Sequence, residues 1–171
     1  LLGDHGHAFM EHGRFGHAYD ILYNEVLHVP LIFYGSEISE KILLPVQLLD
    51  IPTTIVDILG IKNPPSFIGK SLLPIIKKEE KTNIPIFSES AKPDLINLRY
   101  NFDKKAISCI SGRYKIVVNE MLNSIEMYDI QKDFGERNNL IDYKEKEATR
   151  LRTLIQEHLT NEGFKGKSKS L

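Results

Sequence analysis

The 171-residue sequence has no tryptophan and one cysteine, Cys109. A lone thiol excludes a disulfide scaffold and a Cys-based zinc finger. It also suits a reducing compartment, so a cytoplasmic location is slightly favoured, and a leader lost with a missing N-terminus would change that. No uninterrupted apolar run approaches the roughly 18 residues of a membrane span. Neither charge is in excess: 22 Lys+Arg stand against 23 Asp+Glu, a net charge of −1. Binding to nucleic acid through bulk positive charge is therefore not expected. An initiator Met and a basic leader are also lacking. Leu1-Leu2 reads instead as the end of an apolar strand, which needs neighbours on both sides. The expectation is a C-terminal portion of a longer protein, whose missing N-terminal part is its first partner. What is there, 42 % apolar and 26 % charged, suffices for a core.

The histidines are unevenly placed. Five of the six (His5, His7, His12, His17 and His28) fall in the first 28 residues, and only His158 lies beyond. His7, His12 and His17 recur every five residues, which on a helix leaves side chains about 140° apart, so they converge only in a folded loop. Asp4 and His5 follow the presumed strand, at its carboxyl end, where open α/β sheets place ligands. A carboxylate beside an imidazole suits a divalent cation accepting mixed oxygen and nitrogen donors. Gly6 lets the chain turn away at once. An Asp-His-Gly tripeptide is also an ordinary turn, and His28 and His158, set among apolar residues, read as structural.

Val29 to Tyr34 is a continuous apolar run closed by Gly35-Ser36, the pattern of a strand covered on both faces. Asp50 is expected to cap a helix with Pro52 in its first turn, Gly60 after its end, and Ile55, Ile58 and Leu59 as its buried stripe. Lys77 to Lys81 reads as a solvated run, and Ile84 to Ser88 as a second short strand. Beyond about residue 100, Ala106 to Ile110, Tyr114 to Val118 and Ile125 to Tyr128 suggest an antiparallel meander. A helix follows over residues 143–160, with Ala148, Leu151, Leu154, Ile155 and Leu159 at helical spacing. Asp142 and Glu145 form a capping-box pattern and Gly163 is the stop. The expected plan is an α/β portion over 1–100, an α+β subdomain over 101–163, and a disordered basic tail over 164–171.

These residues carry a resemblance. Asp4-His5-Gly6, Glu11-His12-Gly13, Gly16-His17, Leu22-Tyr23-Asn24-Glu25 and His28-Val29-Pro30-Leu31-Ile32 resemble the second metal-binding segment of the sulfatase family, in the alkaline phosphatase superfamily. Leu49 to Thr54 with Gly60 resembles that family's Asp-x-x-Pro-Thr helix start, and Ser66 to Leu72 the segment after it. Gly112 to Lys115, Met127 to Ile130, Asp133, Glu136, Asn138 and Leu140 resemble its C-terminal subdomain. The resemblance implies an alkaline phosphatase-like α/β fold, here the C-terminal part of a mostly parallel sheet, followed by a small antiparallel sheet packed by a C-terminal helix. It further implies that Asp4 and His5 ligate one divalent metal, Ca2+ or Mn2+ first, with Zn2+ or Mg2+ as alternatives. His17 matches the family's Lys or His contacting the oxyanion of the ester, a substrate-binding and catalytic role that a general acid could extend.

Some positions depart from the family pattern. His7 stands where relatives often carry an acid, Ala18 replaces a Gly, and the step from His17 to Tyr23 is one residue longer. Many arylsulfatases have Asn at the His5 position, whereas His is more typical of relatives acting on phosphate mono- and diesters or phosphonates, and of some sulfatases. The family's nucleophile, a Cys converted to formylglycine or a Ser or Thr, is expected upstream. Cys109 lacks the Pro and Arg that follow the modified cysteine and reads as a buried thiol. The expectation is the C-terminal fragment of a hydrolase of small-molecule or glycan sulfate esters, inactive alone. A phosphate-ester or phosphonate hydrolase or phosphotransferase of the same superfamily is the sister reading. A non-catalytic metal-binding or interaction module is the rival from another class.

Overall fold

The computed structural model describes residues 1–34, 41–79, 84–94 and 99–161. Gly35-Ser36, the end of the Lys77 to Lys81 run, Gly163 and the expected basic tail lie outside the described residues. The strands are β1 (Ala8–Phe9), β2 (Phe15–Gly16), β3 (Ile86–Asp94), β4 (Arg99–Ser111), β5 (Tyr114–Asn119) and β6 (Ser124–Asp129). The helices are α1 (Asn24–Leu27), α2 (Asp50–Ile58), α3 (Leu73–Ile76) and α4 (Glu145–Asn161). The chain divides into two compact units, one of residues 1–4 with 30–86 and the other of 5–29 with 87–171. The partition is discontinuous in sequence, and the residue-100 boundary drawn from composition lies within β4.

In the first unit, Leu2 and Leu31 form an antiparallel bridge, and the Ile32 N–H donates to the Leu1 carbonyl at 2.8 Å. The strand expected from Val29 to Tyr34 is reduced to this bridge, with Ile32 and Tyr34 exposed. Helix α2 forms where expected, with Pro52 in its first turn and Gly60 at φ +65° after its end. Its cap and buried face both differ from expectation. Leu49 occupies the cap position, and Asp50 sits buried inside the first turn. The Asp50 carboxylate accepts the Lys70 N–H at 2.9 Å. Thr54 Oγ1 donates to the Asp50 carbonyl at 2.6 Å and accepts the Leu72 N–H at 2.9 Å. The chain passes so close at Gly69 that a Cβ there would run into the Leu49 carbonyl. The helix thus buries Asp50, Ile51, Thr53 and Thr54, while Ile55, Ile58 and Leu59 are exposed at 45, 39 and 64 %. Buried backbone donors of the 69–72 segment need partners, and the polar face supplies them.

In the second unit, one sheet runs in the order β3-β4-β5-β6, with β4–β5 and β5–β6 antiparallel. The expected meander is present, turning through Gly112 (φ +65°) and Asn123 (φ 51°). Helix α4 forms two residues later than the expected start, at Glu145–Asn161, so Asp142 lies before its cap position, and its Ala148, Leu151 and Ile155 pack on Ile107, Cys109, Ile116, Val118 and Met127. On β5, Ile116 and Val118 face that helix. Lys115, Val117 and Asn119 point to the opposite face by the two-residue alternation of a strand. Val117 and Ala106 form a second apolar cluster there with Leu22, and Asn119 Nδ2 donates to the Asp20 carbonyl at 3.0 Å. The histidine segment 5–29 therefore covers one face of the sheet and α4 the other. Covering both faces accounts for the unbroken burial from Lys115 to Asn119.

Candidate active site

Strands β1 and β2 pair antiparallel, Ala8 with Gly16 and Phe9 with Phe15. The hairpin tip turns through a 3-10 segment at Glu11–Gly13, with Met10 at φ 79°, His12 at φ 51° and Gly13 at φ 66°. Glu11 braces the tip by accepting the Phe9 N–H on its carboxylate. Because the hairpin folds the chain back on itself, His7 and His17, at its two ends, become neighbours. Their Nδ1 atoms lie 3.5 Å apart. His5 stacks on His17 with ring centroids 4.3 Å apart. Phe9 and Phe15, both exposed, pack around His7.

The folded loop required by the five-residue spacing is therefore present, and it gathers His5, His7 and His17 rather than His7, His12 and His17. His12 faces the other way. Its Nε2 donates to the Glu136 carbonyl and its Nδ1 to a Glu25 carboxylate oxygen, both at 2.8 Å, and its ring stacks on Tyr23 at 3.8 Å. His28 meets Phe134 edge-on at 4.9 Å. His158 stacks on Phe87 at 4.0 Å and bonds Glu89 at 2.7 Å, partners that no local pattern displays.

His5 Nδ1 lies 2.9 Å from the Gly6 carbonyl, which only accepts. Nδ1 therefore donates to it, a bond of the kind that orients a metal-ligating imidazole. Gly6 is tightly constrained: its N–H donates to the Val26 carbonyl at 2.7 Å, and a Cβ would collide with the Glu25 carbonyl. Asp4 is exposed and closes the N-terminal segment of the first unit. A carboxylate and an oriented imidazole fit a divalent cation in chemistry but are only half of a four-ligand shell. Among the described residues, no group of three or more His, Cys, Asp or Glu side chains is placed to hold a metal.

Sequence reasoning missed the polar network beneath this loop. Lys115 Nζ and Glu136 Oε1 lie 2.6 Å apart with both side chains fully buried. Glu136 Oε2 accepts the Asn24 N–H at 2.6 Å. Lys115 Nζ donates to Asn24 Oδ1 at 3.2 Å, and Asn24 Nδ2 to the Phe134 carbonyl at 2.9 Å. Burial pushes the Glu136 carboxyl up and the Lys115 ammonium down, and each charge opposes the shift of the other. Nearby, the Tyr23 and Tyr128 hydroxyls both donate to Glu126, and burial raises both phenols. A cavity of about 840 Å³ opens beside the network, walled by Glu11, Tyr23, His28, Glu126 and Arg137 among others. The one sequence signal was a lysine inside an apolar strand.

Residues 10–164 match the family described as N-sulphoglucosamine sulphohydrolase, C-terminal. The chain belongs to that family, and so to the sulfatases, with their alkaline phosphatase-like fold. It is similar to a Delta 4,5-hexuronate-2-O-sulfatase of Bacteroides thetaiotaomicron, 31 % identical over 148 residues that make up 82 % of this chain and 29 % of that protein. Arylsulfatase K of Mus musculus is 29 % identical over 144 residues, 80 % of this chain and 25 % of that protein. The solved structure of a 2-O GAG sulfatase superposes with a TM-score of 0.75 at 29 % identity, covering 94 % of this chain and 35 % of that one. The chain thus spans about a quarter to a third of the length of these three proteins.

Proposed function

We propose that the chain is the C-terminal part of a metal-dependent hydrolase of glycan sulfate esters and carries half of its active site. The observation that supports this most is the stacking of His5 and His17 beside the Asp-His-Gly turn, in a chain of the sulfatase family. The glycan assignment leans on the relatives, named for 2-O-sulfated hexuronate and for a 2-O-sulfated glycosaminoglycan. Asp4 and His5 would hold the divalent ion, Ca2+ or Mn2+ before Zn2+ or Mg2+. When bound, that ion supplies positive charge beside the non-bridging oxygens of the ester. His17, exposed at the end of the hairpin, directs an N–H at the sulfate or the leaving oxygen, stabilising charge as the S–O bond breaks or passing a proton to the leaving group. The nucleophile, a formylglycine in this reading, belongs to the part of the protein outside these 171 residues, so the isolated chain is inactive.

The test compares the full-length protein with the 171-residue chain on a 2-O-sulfated hexuronate oligosaccharide, with sulfate release read by ion chromatography. Release by the full-length protein alone, lost in His17→Ala, is the expected result. Faster hydrolysis of a phosphate ester or phosphonate would overturn the ester class. Metal binding with no hydrolysis of any of these esters would overturn the enzyme reading in favour of a binding module.

A further inference from the structure

We infer that the buried Lys115–Glu136 pair positions the histidine loop, with Glu136 as a positioning residue for His5 and His17. The inference rests on the role proposed for those two histidines. Removing two charges from water carries a desolvation cost even in relaxed proteins, and apolar residues of similar size often serve stability as well. A fully buried pair such as this one therefore calls for a role besides stability. Its other bonds supply one.

Glu136 grips the loop at two places. Its carboxylate accepts the Asn24 N–H, the first donor of α1, and its backbone carbonyl accepts from His12 at the hairpin tip. From α1 the path is short. The Val26 carbonyl accepts the Gly6 N–H, and Gly6 has no room for a Cβ against Glu25, so the residue following His5 is pinned to the helix. From His12 the path runs along the hairpin to His17, whose ring stacks on His5. Lys115 completes the clamp by holding Glu136 and Asn24 together. Glu136 makes these bonds from φ 53°, a left-handed conformation that costs a non-glycine residue free energy and is found where surrounding contacts enforce it.

The decisive variant is the full-length protein carrying Lys115→Met with Glu136→Leu, which removes both charges and fills their volume. The expected result is an unchanged melting temperature within a few degrees, with kcat down about 10- to 100-fold and KM changed by less than about threefold. Amide exchange at Gly6 should accelerate, and the His5 and His17 ring resonances should shift. Should that variant not fold, Glu136→Asp is read the same way: it keeps a charge beside Lys115 but falls one methylene short of the Asn24 N–H. A folded variant with wild-type kcat and wild-type protection at Gly6 would overturn the inference. So would a loss of kcat that tracks lost stability while Gly6 stays protected. If the wild type hydrolyses no sulfate ester, the functional reading fails separately, and the Gly6 exchange and ring resonances still decide the positioning.

Discussion

His5 and His17, twelve positions apart in sequence, stack with an interplanar angle of 25°. The ring proposed to hold the metal is thus also the surface on which the proposed substrate donor rests. In the full-length protein, His17→Ala should lower turnover by about 10²- to 10⁴-fold, the usual range for a proton-transferring group, with metal content unchanged. His5→Ala should lose metal and turnover together. His5→Phe separates the two functions of that ring: the flat face survives, so the His17 resonances should stay near their wild-type positions while the metal is lost. Elemental analysis and ring NMR read these outcomes, and retained stoichiometric metal in His5→Ala would remove His5 from the site.

The two bonds of His12 have a pH signature. Both ring nitrogens donate, one to the Glu136 carbonyl and one to the Glu25 carboxylate, so the imidazolium is the form the fold selects. Burial pulls its pKa down, but the Glu136 carbonyl, the Glu25 hydrogen bond and the charges of Glu25 and Glu136 outweigh it, and the net shift is upward. A raised folded-state pKa gives stability that is complete below the unfolded value of about 6.5 and lost as pH rises through the folded value. The gap in melting temperature between wild type and His12→Gln should therefore be largest near about pH 6 and shrink towards about pH 9. A gap independent of pH would show that His12 is held as the neutral ring.

Cys109 should be chemically silent. It is fully buried between the sheet and α4, and burial pushes its thiol up to about 12. Since the thiolate is the reactive form, the native protein should resist alkylation at about pH 8 and take up one label after denaturation. Labelling of the folded protein would open the helix–sheet core to question.

The elements legible in the sequence were those whose signal is local. The stripe of Ala148, Leu151 and Ile155 and the turns around Gly112 and Asn123 need only their own segments, and α4 and the meander follow. Helix α2 was placed correctly along the chain but with the wrong face inward. Hydrophobic periodicity weighs Ile55 and Ile58 and is blind to the backbone donors that Asp50 and Thr54 satisfy. For the proposed site, motif resemblance singles out His5 and His17, whereas their meeting depends on a hairpin with strands of two residues each, too short for an alternation signal. Lys115 and Glu136 stood in recognised segments, but their partnership with Asn24 is set by packing across most of the chain.

That separation governs the order of events in folding. The Asn24–Glu136 and His12–Glu136 bonds span 112 and 124 residues, and such long loops close only at an entropic cost that local turns avoid. The meander and α4 can form from neighbouring contacts, while the histidine hairpin has no fixed seat until β5 and the Glu136 turn exist to receive it. A growing chain therefore carries its histidines unassembled until synthesis has passed residue 136, and a chain ended short of that point would retain every histidine of the loop without the geometry that gathers His5, His7 and His17.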